Sequence, residues 1–235
     1  LEMPYTCPDC QDTGYIGTKK CHCFLKAIID LFYTQSNLKG LLEQENFEHF
    51  NFDYYSSNYR DRLSGQNSRE LATRAYQECM NFIHNFDTEH GNLLLFGNTG
   101  IGKTFLSHCI AKEVMDSLHS VLYLTASEFF DALLEKALTR NDESCLLYEQ
   151  CDLLIIDDLG TERNTDFVVS QLFVCLNDRI LNRKSTIIST NLTLEEIKTN
   201  YTERTFSRIS NHYKILRLAG DDIRIQKKLM YREEH

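Results

Sequence analysis

An eight-residue, glycine-containing segment of this sequence has the spacing of a phosphate-binding loop. It runs from Gly97 to Thr104 and matches the pattern G-x-x-x-x-G-K-[ST]. An apolar run at 93–96 precedes it and a helical pattern at 104–118 follows it, in the order that such a loop requires. Backbone N–H groups and the positive end of the helix would then point at one phosphate group. The alternative is a glycine turn without a ligand, which the flanking elements disfavour.

The residues of this loop have distinct expected roles in binding a nucleoside triphosphate. The glycines permit the tight backbone path, and the residues at the variable positions contribute backbone contacts only. Lys103 is expected to neutralise the β- and γ-phosphates of ATP, and the Thr104 hydroxyl to supply one oxygen ligand to Mg²⁺. The predicted set that binds ATP or ADP is Gly97, Asn98, Thr99, Gly100, Ile101, Gly102, Lys103, Thr104 and Phe105.

Two carboxylates and one amide follow later strand candidates. A second apolar run ends in Asp157 and Asp158, and a third ends at Asn191. In an open α/β sheet, ligands bind at the carboxyl ends of the strands. We therefore expect Asp157 to hold Mg²⁺ directly or through water, and Asn191 to hydrogen-bond the γ-phosphate or the attacking water. Asp158 stands where many related ATPases have the longer glutamate, so hydrolysis is expected to be slow or to need help from Glu162. The alternative is a solvated pair of acids.

Four clustered cysteines near the start of the chain have the spacing of a metal site. Cys7 and Cys10 form a C-x2-C pair, and Cys21 and Cys23 form a C-x-C pair after a glycine-containing turn. Four thiolates so placed can close into a tetrahedron around Zn²⁺. His22 could replace one of its neighbours as a ligand, and free thiols or a disulfide are the alternatives to zinc. So small a segment would depend on the metal for most of its stability.

The composition indicates a globular protein. Its 235 residues, 42% of them hydrophobic, are enough for one ordinary domain with an appendage. No apolar run reaches the ~18 residues that span a bilayer and no leader opens the chain, so we expect a cytoplasmic protein without a membrane partner. Because it begins at Leu1, we expect a fragment or a processed product. Five further cysteines lie among apolar neighbours and are interpreted as reduced core residues: Cys79, Cys109, Cys145, Cys151 and Cys175.

The charge is unevenly distributed along the chain. The net charge of −9 disfavours tight, sequence-independent binding of nucleic acid over the whole surface. Residues 201–235, however, carry eight Lys or Arg against five Asp or Glu. We therefore expect any polyanion, such as a nucleic acid, to bind the C-terminal part of the chain, at residues 201–235.

Strand and helix patterns alternate after residue 90, which predicts an α/β fold with a doubly wound parallel sheet flanked by helices. The predicted division is a zinc-binding segment at 1–24, a connecting helix and linker at 25–66, and an ATPase domain at 67–235. The end of the linker carries an aromatic run at 47–55. These rings either pack on the domain or line an adenine pocket, and packing is the simpler interpretation.

Together these motifs resemble the AAA+ ATPase domain of bacterial helicase loaders of the DnaC/DnaI type, with the transposition helper IstB as a close relative. The resemblance covers nearly the whole chain. The phosphate loop, the acidic strand end, the Asn-tipped strand and the Arg-x3-Arg at 204–208 contribute to the resemblance. Three features narrow the choice of family: the cysteine front end, the Asp-Asp-Leu-Gly at 157–160 and the Gly-x-Asp-Ile-Arg at 220–224. The zinc-type front end favours a loader, since IstB-like chains generally lack it.

The resemblance implies roles for several residues. Asn191 would be sensor 1, and Arg208 would be an arginine finger that reaches the γ-phosphate of a neighbouring subunit, with Arg204 beside it. Arg224 would be the sensor 2 arginine, acting on the nucleotide of its own subunit. A fixed guanidinium stabilises the charge that spreads over the γ-phosphoryl oxygens. The expected catalytic set is Lys103, Asp157, Asp158, Asn191 and Arg208.

The resemblance also implies partners and a function. The expected partners are a DnaB-type replicative helicase, single-stranded DNA and further copies of the chain. The leading hypothesis is an ATP-dependent helicase loader. The alternatives are a transposition helper ATPase of the IstB type, and a nucleotide-gated adaptor with little hydrolysis, for which Asp158 is the support.

Overall fold

The computed structural model of the chain describes residues 5–17, 19–24, 26–27, 38–139, 145–163 and 165–233. The connecting helix expected around 25–32 falls largely outside these residues.

The strands are β1 (Tyr15–Ile16), β2 (Lys19–Lys20), β3 (Leu93–Phe96), β4 (Val121–Thr125), β5 (Leu153–Leu159), β6 (Ser185–Thr190) and β7 (Lys214–Arg217). The helices are α1 (Leu38–Gln44), α2 (Ser68–His84), α3 (Phe86–Glu89), α4 (Lys103–Asp116), α5 (Ala126–Thr139), α6 (Cys145–Gln150), α7 (Asp166–Leu181), α8 (Leu194–His212) and α9 (Ile223–Glu233).

A five-stranded parallel sheet confirms the predicted α/β fold. Its strand order is β4-β5-β6-β3-β7, and every neighbouring pair is parallel. The strand that leads into the glycine loop, β3, therefore lies between β6 and β7. Because all five strands point the same way, the loops after β3, β5 and β6 meet at one edge of the sheet.

Apolar side chains cover both faces of this sheet, as expected for parallel strands flanked by helices. On one face Leu94, Ile156 and Ile188 belong to a core cluster that includes residues of α5, α6, α7 and α8. On the other face Leu95 and Ile187 belong to a cluster that includes residues of α2 and α4. Four of the five isolated cysteines, Cys79, Cys109, Cys151 and Cys175, are buried free thiols, whereas the side chain of Cys145 lies outside the description.

Side-chain caps fix where two of the long helices begin. Helix α8 starts with the predicted capping box, in which Thr193 and Glu196 satisfy each other's backbone N–H groups. Asn67 and Glu70 form a second box at the start of α2. Helix α8 is also interrupted, because Thr202 has φ 72° and ψ 155°. Such a conformation costs a β-branched residue about 1–3 kcal/mol.

The aromatic linker segment packs against helices α2 and α4. It forms two short 3₁₀ turns, Phe47–His49 and Phe52–Tyr54, each begun by an asparagine cap. Phe50 contacts Tyr76 of α2 and Phe105 of α4. The predicted domain boundary at residue 67 stays a prediction, although these contacts cross it. Among the described residues, no helix combines the length and apolarity needed to cross a bilayer.

Candidate nucleotide-binding site and cysteine cluster

A cavity of about 330 Å³ opens at the carboxyl edge of the sheet. Its walls come from the glycine loop, the aromatic segment, the tips of β5 and β6, and the start of α9. Nine of the predicted site residues line it: Thr99, Gly100, Gly102, Lys103, Thr104, Phe105, Asp158, Asn191 and Arg224. Gly97, Asn98, Ile101 and Asp157 contact or adjoin these residues from outside the lining, and Arg208 lies elsewhere on α8.

The glycine loop has a backbone conformation that is unfavourable for residues with a Cβ atom. Gly97 has φ 142° and Gly100 has φ 77°, in the region that favours glycine. A Cβ at Gly97 would overlap the carbonyl oxygen of Leu218, and one at Gly100 would overlap the carboxylate of Asp222. The loop is therefore held between β3 and the segment that leads into α9.

The ammonium of Lys103 lies at the junction of the loop and β6. Its Nζ donates to the carbonyl oxygens of Gly97 at 2.8 Å and Asn98 at 2.7 Å, and to Oδ1 of Asn191 at 2.7 Å. Burial lowers the pKa of Lys103 to about 8, against the opposing effect of two nearby carboxylates. The predicted phosphate-binding lysine and the predicted sensor amide are therefore in direct contact.

Asp157 is buried and accepts hydrogen bonds from three hydroxyl groups. Thr104 donates from 3.0 Å and Tyr123 from 2.6 Å, and Ser189 donates to the other carboxylate oxygen. Thr104 and Asp157, the two predicted Mg²⁺ ligands, are thus neighbours, and their oxygen atoms suit that ion. Tyr123 and Ser189 were not predicted, because a hydroxyl within an apolar strand gives no signal of its own.

Asp158 faces the cavity, unlike its neighbour. Its φ of 55° is left-handed, and the pairing of β5 with β6 shifts register between Ile156 and Leu159. The Asp158 N–H donates to Oγ of Ser189 at 2.9 Å, which fixes the turned backbone. Burial and the adjacent Asp157 charge raise the pKa of Asp158, although Lys103 and Arg224 oppose that rise. A carboxylate in this position can accept a proton from water or from a ligand in the cavity.

Glu162, which was expected to help hydrolysis, is engaged elsewhere. One carboxylate oxygen accepts a hydrogen bond from the Tyr201 hydroxyl, and the other accepts the Gly160 N–H at 2.9 Å. Burial, together with Glu162 itself, raises the pKa of the Tyr201 hydroxyl, so it stays protonated and donates. The contact ties the loop after β5 to the interruption in α8, and Glu162 does not line the cavity.

The three predicted functional arginines differ in position. Arg224 lines the cavity and pairs with Asp222, its Nη2 lying 2.8 Å from Oδ2. Arg204 and Arg208 are exposed on α8, past the interruption at Thr202. Arg208 does not line the cavity of its own chain. Its role as a finger in a neighbouring subunit stays a prediction.

Part of the cavity lining is aromatic. Phe50, Tyr54 and Tyr55 line it together with Phe105. The Tyr55 hydroxyl donates to the carbonyl of Ile101 at 3.1 Å, which fastens the aromatic segment to the glycine loop. The run at 47–55 therefore both packs on the domain and lines the cavity, whose flat apolar walls suit a nucleobase.

The four N-terminal cysteines come together as a cluster. The Sγ atoms of Cys7, Cys10, Cys21 and Cys23 lie within 4.8 Å of one another, with Cys7 and Cys21 3.8 Å apart. Zinc bonds of ~2.3 Å in a tetrahedron place sulfur atoms ~3.8 Å apart, so the thiols fit Zn²⁺. His22 lies 3.5 Å from both the Cys21 sulfur and an Asp9 oxygen, and its side chain is 66% exposed. The burial of three thiols favours the four-cysteine set.

The parallel sheet, the glycine loop and the cavity are those of a nucleotide-binding α/β domain. A family model described as IstB-like ATP binding protein matches residues 33–230. The chain belongs to this family.

The chain is also similar to one curated relative and shares its fold with several solved structures. Phage-like element PBSX protein XkdC of Bacillus subtilis (strain 168) is 28% identical over 211 residues, which cover 81% of this chain and 73% of XkdC. The DnaC helicase loader has the same fold, with a TM-score of 0.58, 23% identity, and coverage of 72% of this chain and 96% of its own. The replication initiator DnaA bound to AMPPCP and single-stranded DNA has a TM-score of 0.60 and 21% identity. That match covers 77% of this chain but 56% of the DnaA chain.

Proposed function

We propose that this chain is an ATP-dependent loader that places a DnaB-type replicative helicase on single-stranded DNA. The observation that carries the proposal is a cavity in which Lys103, Thr104, Asp158 and Asn191 meet, within a chain that also carries a four-cysteine cluster. The likeness of fold to the DnaC helicase loader, and to a DnaA bound to an ATP analogue and single-stranded DNA, supports it. The cysteine segment at 1–24 is proposed to bind zinc and contact the helicase.

In the proposed reaction, water attacks the γ-phosphorus of ATP and the bond to the β–γ bridging oxygen breaks, which gives ADP and phosphate. Lys103 neutralises the phosphate oxygens, while Asp158 orients the water and accepts its proton. Thr104 and Asp157 would hold Mg²⁺, which supplies charge neutralisation when bound. Asn191 contacts the water or the γ-phosphate. Arg208 of a neighbouring copy stabilises the negative charge on the γ-phosphoryl oxygens.

ATP hydrolysis measured with and without single-stranded DNA tests this mechanism. Wild type is expected to turn over slowly alone and faster when assembled on DNA, and Arg208→Ala is expected to lose the DNA-dependent increase while binding ATP normally. Arg183→Ala, which removes an exposed arginine between α7 and β6, is the matched control. Equal, near-zero rates for wild type and Arg208→Ala under both conditions would instead support the nucleotide-gated adaptor.

A transposition helper is the second candidate, because the matched family is named for IstB. It would use the same ATP chemistry with a different partner. A binding assay against the host's replicative helicase separates the two functions, provided that it uses the longest natural form of the chain and includes zinc. Binding that is lost in Cys7→Ser supports the loader, and an absence of binding by zinc-loaded wild type contradicts it.

A further inference from the structure

Asp222 lies between the glycine loop and the arginine predicted to sense the γ-phosphate. Its carboxylate accepts hydrogen bonds from Arg224 Nη2 at 2.8 Å and Nε at 3.1 Å. It also packs against Gly100 so closely that a Cβ there would overlap it. The next residue, Ile223, donates its N–H to the Gly100 carbonyl at 2.8 Å. The carboxylate therefore packs against the loop on one side and accepts hydrogen bonds from the arginine on the other.

The contact with Asp222 uses one edge of the Arg224 guanidinium. A guanidinium has five N–H donors in a rigid plane and can bind one anion along the Nε/Nη2 edge and another along the Nη1/Nη2 edge. Asp222 takes the first edge, while the side chain still lines the cavity. Arg224 is 65% exposed and would otherwise lose rotamer freedom when it bound a ligand. Because Asp222 already restricts the Arg224 side chain, part of this entropy cost is met before a ligand binds.

Arg224 lines the same cavity as Lys103 and Asp158, the two groups that would flank a γ-phosphate. A phosphate group bound in this cavity would therefore interact with the charge of all three side chains.

We propose that Asp222 is a positioning residue that holds the Nη1 edge of Arg224 toward the γ-phosphate and so sets the preference of the site for ATP over ADP. The inference rests on the proposed function, because it requires a triphosphate in this cavity. A purely structural role is the competing explanation. Asp222 also accepts the backbone N–H of Arg224 at 2.9 Å, which is a helix-capping contact at the start of α9.

Substitutions at position 222 separate these two roles. Asparagine caps helices as well as aspartate but carries no charge, whereas glutamate keeps the charge and caps poorly. Equilibrium binding of fluorescent mant-ATP and mant-ADP, with Mg²⁺, is measured for wild type, Asp222→Asn, Asp222→Glu, Arg224→Gln and the double variant Asp222→Asn/Arg224→Gln. Asp221→Asn, at an exposed neighbouring carboxylate, is the control for net charge.

The expected result is a loss of discrimination and not of binding in general. Asp222→Asn lowers the ratio of ADP to ATP dissociation constants by about three- to tenfold, as expected for charge-assisted hydrogen bonds near solvent. Arg224→Gln lowers the ratio at least as much, and the double variant is no worse than Arg224→Gln. Asp222→Glu and Asp221→Asn stay within about twofold of wild type.

Three outcomes overturn the proposal. The first is an unchanged ratio in Asp222→Asn. The second is an equal loss of ATP and ADP affinity that persists in the Arg224→Gln background, which would identify Asp222 as a helix cap alone. The third is a failure of the wild-type protein to bind either ATP or ADP. That result would also contradict the proposed function, and it is distinguished from the other two because it is seen without any variant. Thermal melting of each variant establishes that it is folded.

Discussion

Raising the pH above 8 is expected to weaken ATP binding, because Lys103 loses its proton before the ligand arrives. Burial lowers the pKa of this lysine to about 8 in the free protein. A triphosphate beside the ammonium adds negative charge, which raises the pKa of Lys103 in the complex above its free value. The complex therefore holds the proton more tightly than the free protein does, and binding above pH 8 must take up a proton.

Linkage sets the size of this effect. At pH 7 and below, the lysine is almost fully charged in both states, and its titration contributes little to the pH dependence of binding. Between the free pKa and the bound pKa, each pH unit costs about tenfold in affinity, or ~1.4 kcal/mol. The dissociation constant for ATP at pH 9 is therefore expected to be roughly eight times that at pH 7.5, when the pKa of Lys103 in the complex lies well above 9.

Fluorescence titration with mant-ATP from pH 7 to 9.5, at constant Mg²⁺ and ionic strength, measures the profile. Calorimetry in two buffers with different ionisation enthalpies counts the protons taken up. Lys103→Arg is the control, since its guanidinium stays charged over this range, and its profile should be flat even where its affinity is lower. A flat wild-type profile to pH 9.5, or the same slope in Lys103→Arg, would refute the reasoning.

Three further variants test other parts of the site. Tyr201→Phe should lower the free energy of unfolding by about 1.5–3 kcal/mol, because Glu162 loses a buried donor, and leave the dissociation constant for ATP unchanged; denaturant unfolding and mant-ATP titration check both. Cys21→Ala should abolish tight zinc binding, measured by metal analysis of the dialysed protein, while the melting of the ATPase domain stays within a few degrees of wild type. Asp158→Glu should raise the steady-state rate of ATP hydrolysis by extending the carboxylate one methylene into the cavity. A lower rate, with ATP affinity retained, would contradict that interpretation of Asp158.

The sequence predicted those parts of the site that local motifs encode. A glycine pattern after an apolar run places Lys103 and Thr104, and parallel strands bring Asp157 and Asn191 to the same edge. Contacts between distant segments gave no such signal. Residues 56–66 are polar and belong to the predicted linker, yet Asp61 is buried in an ion pair with Arg217, which lies 156 residues away.

Helix α7 carries a second contact that the sequence does not signal. It contains Arg179, a residue typical of helix surfaces, which is instead 1% exposed. Its guanidinium donates to the carbonyl oxygens of Tyr148 and Ser185 and to the Thr186 hydroxyl. Burial of a charge is favourable only when such acceptors surround it. Those acceptors come from the end of α6 and from β6, so strand order decides the position of Arg179.

Strand order also explains how two adjacent aspartates acquire different environments. Strand β6 lies between β5 and β3, so Ser189 reaches β5 and Asn191 reaches Lys103. The Ser189 hydroxyl donates to the carboxylate of Asp157 and accepts the N–H of Asp158. One carboxylate is thereby held among hydroxyl donors beside Thr104, and the turned backbone directs the other into the cavity, where burial raises its pKa. The proposed mechanism requires one acid as a metal ligand and the next as a proton acceptor. A single bulge in β5 places the two carboxylates in these different environments, and the Ser189 hydroxyl of β6 stabilises the bulge.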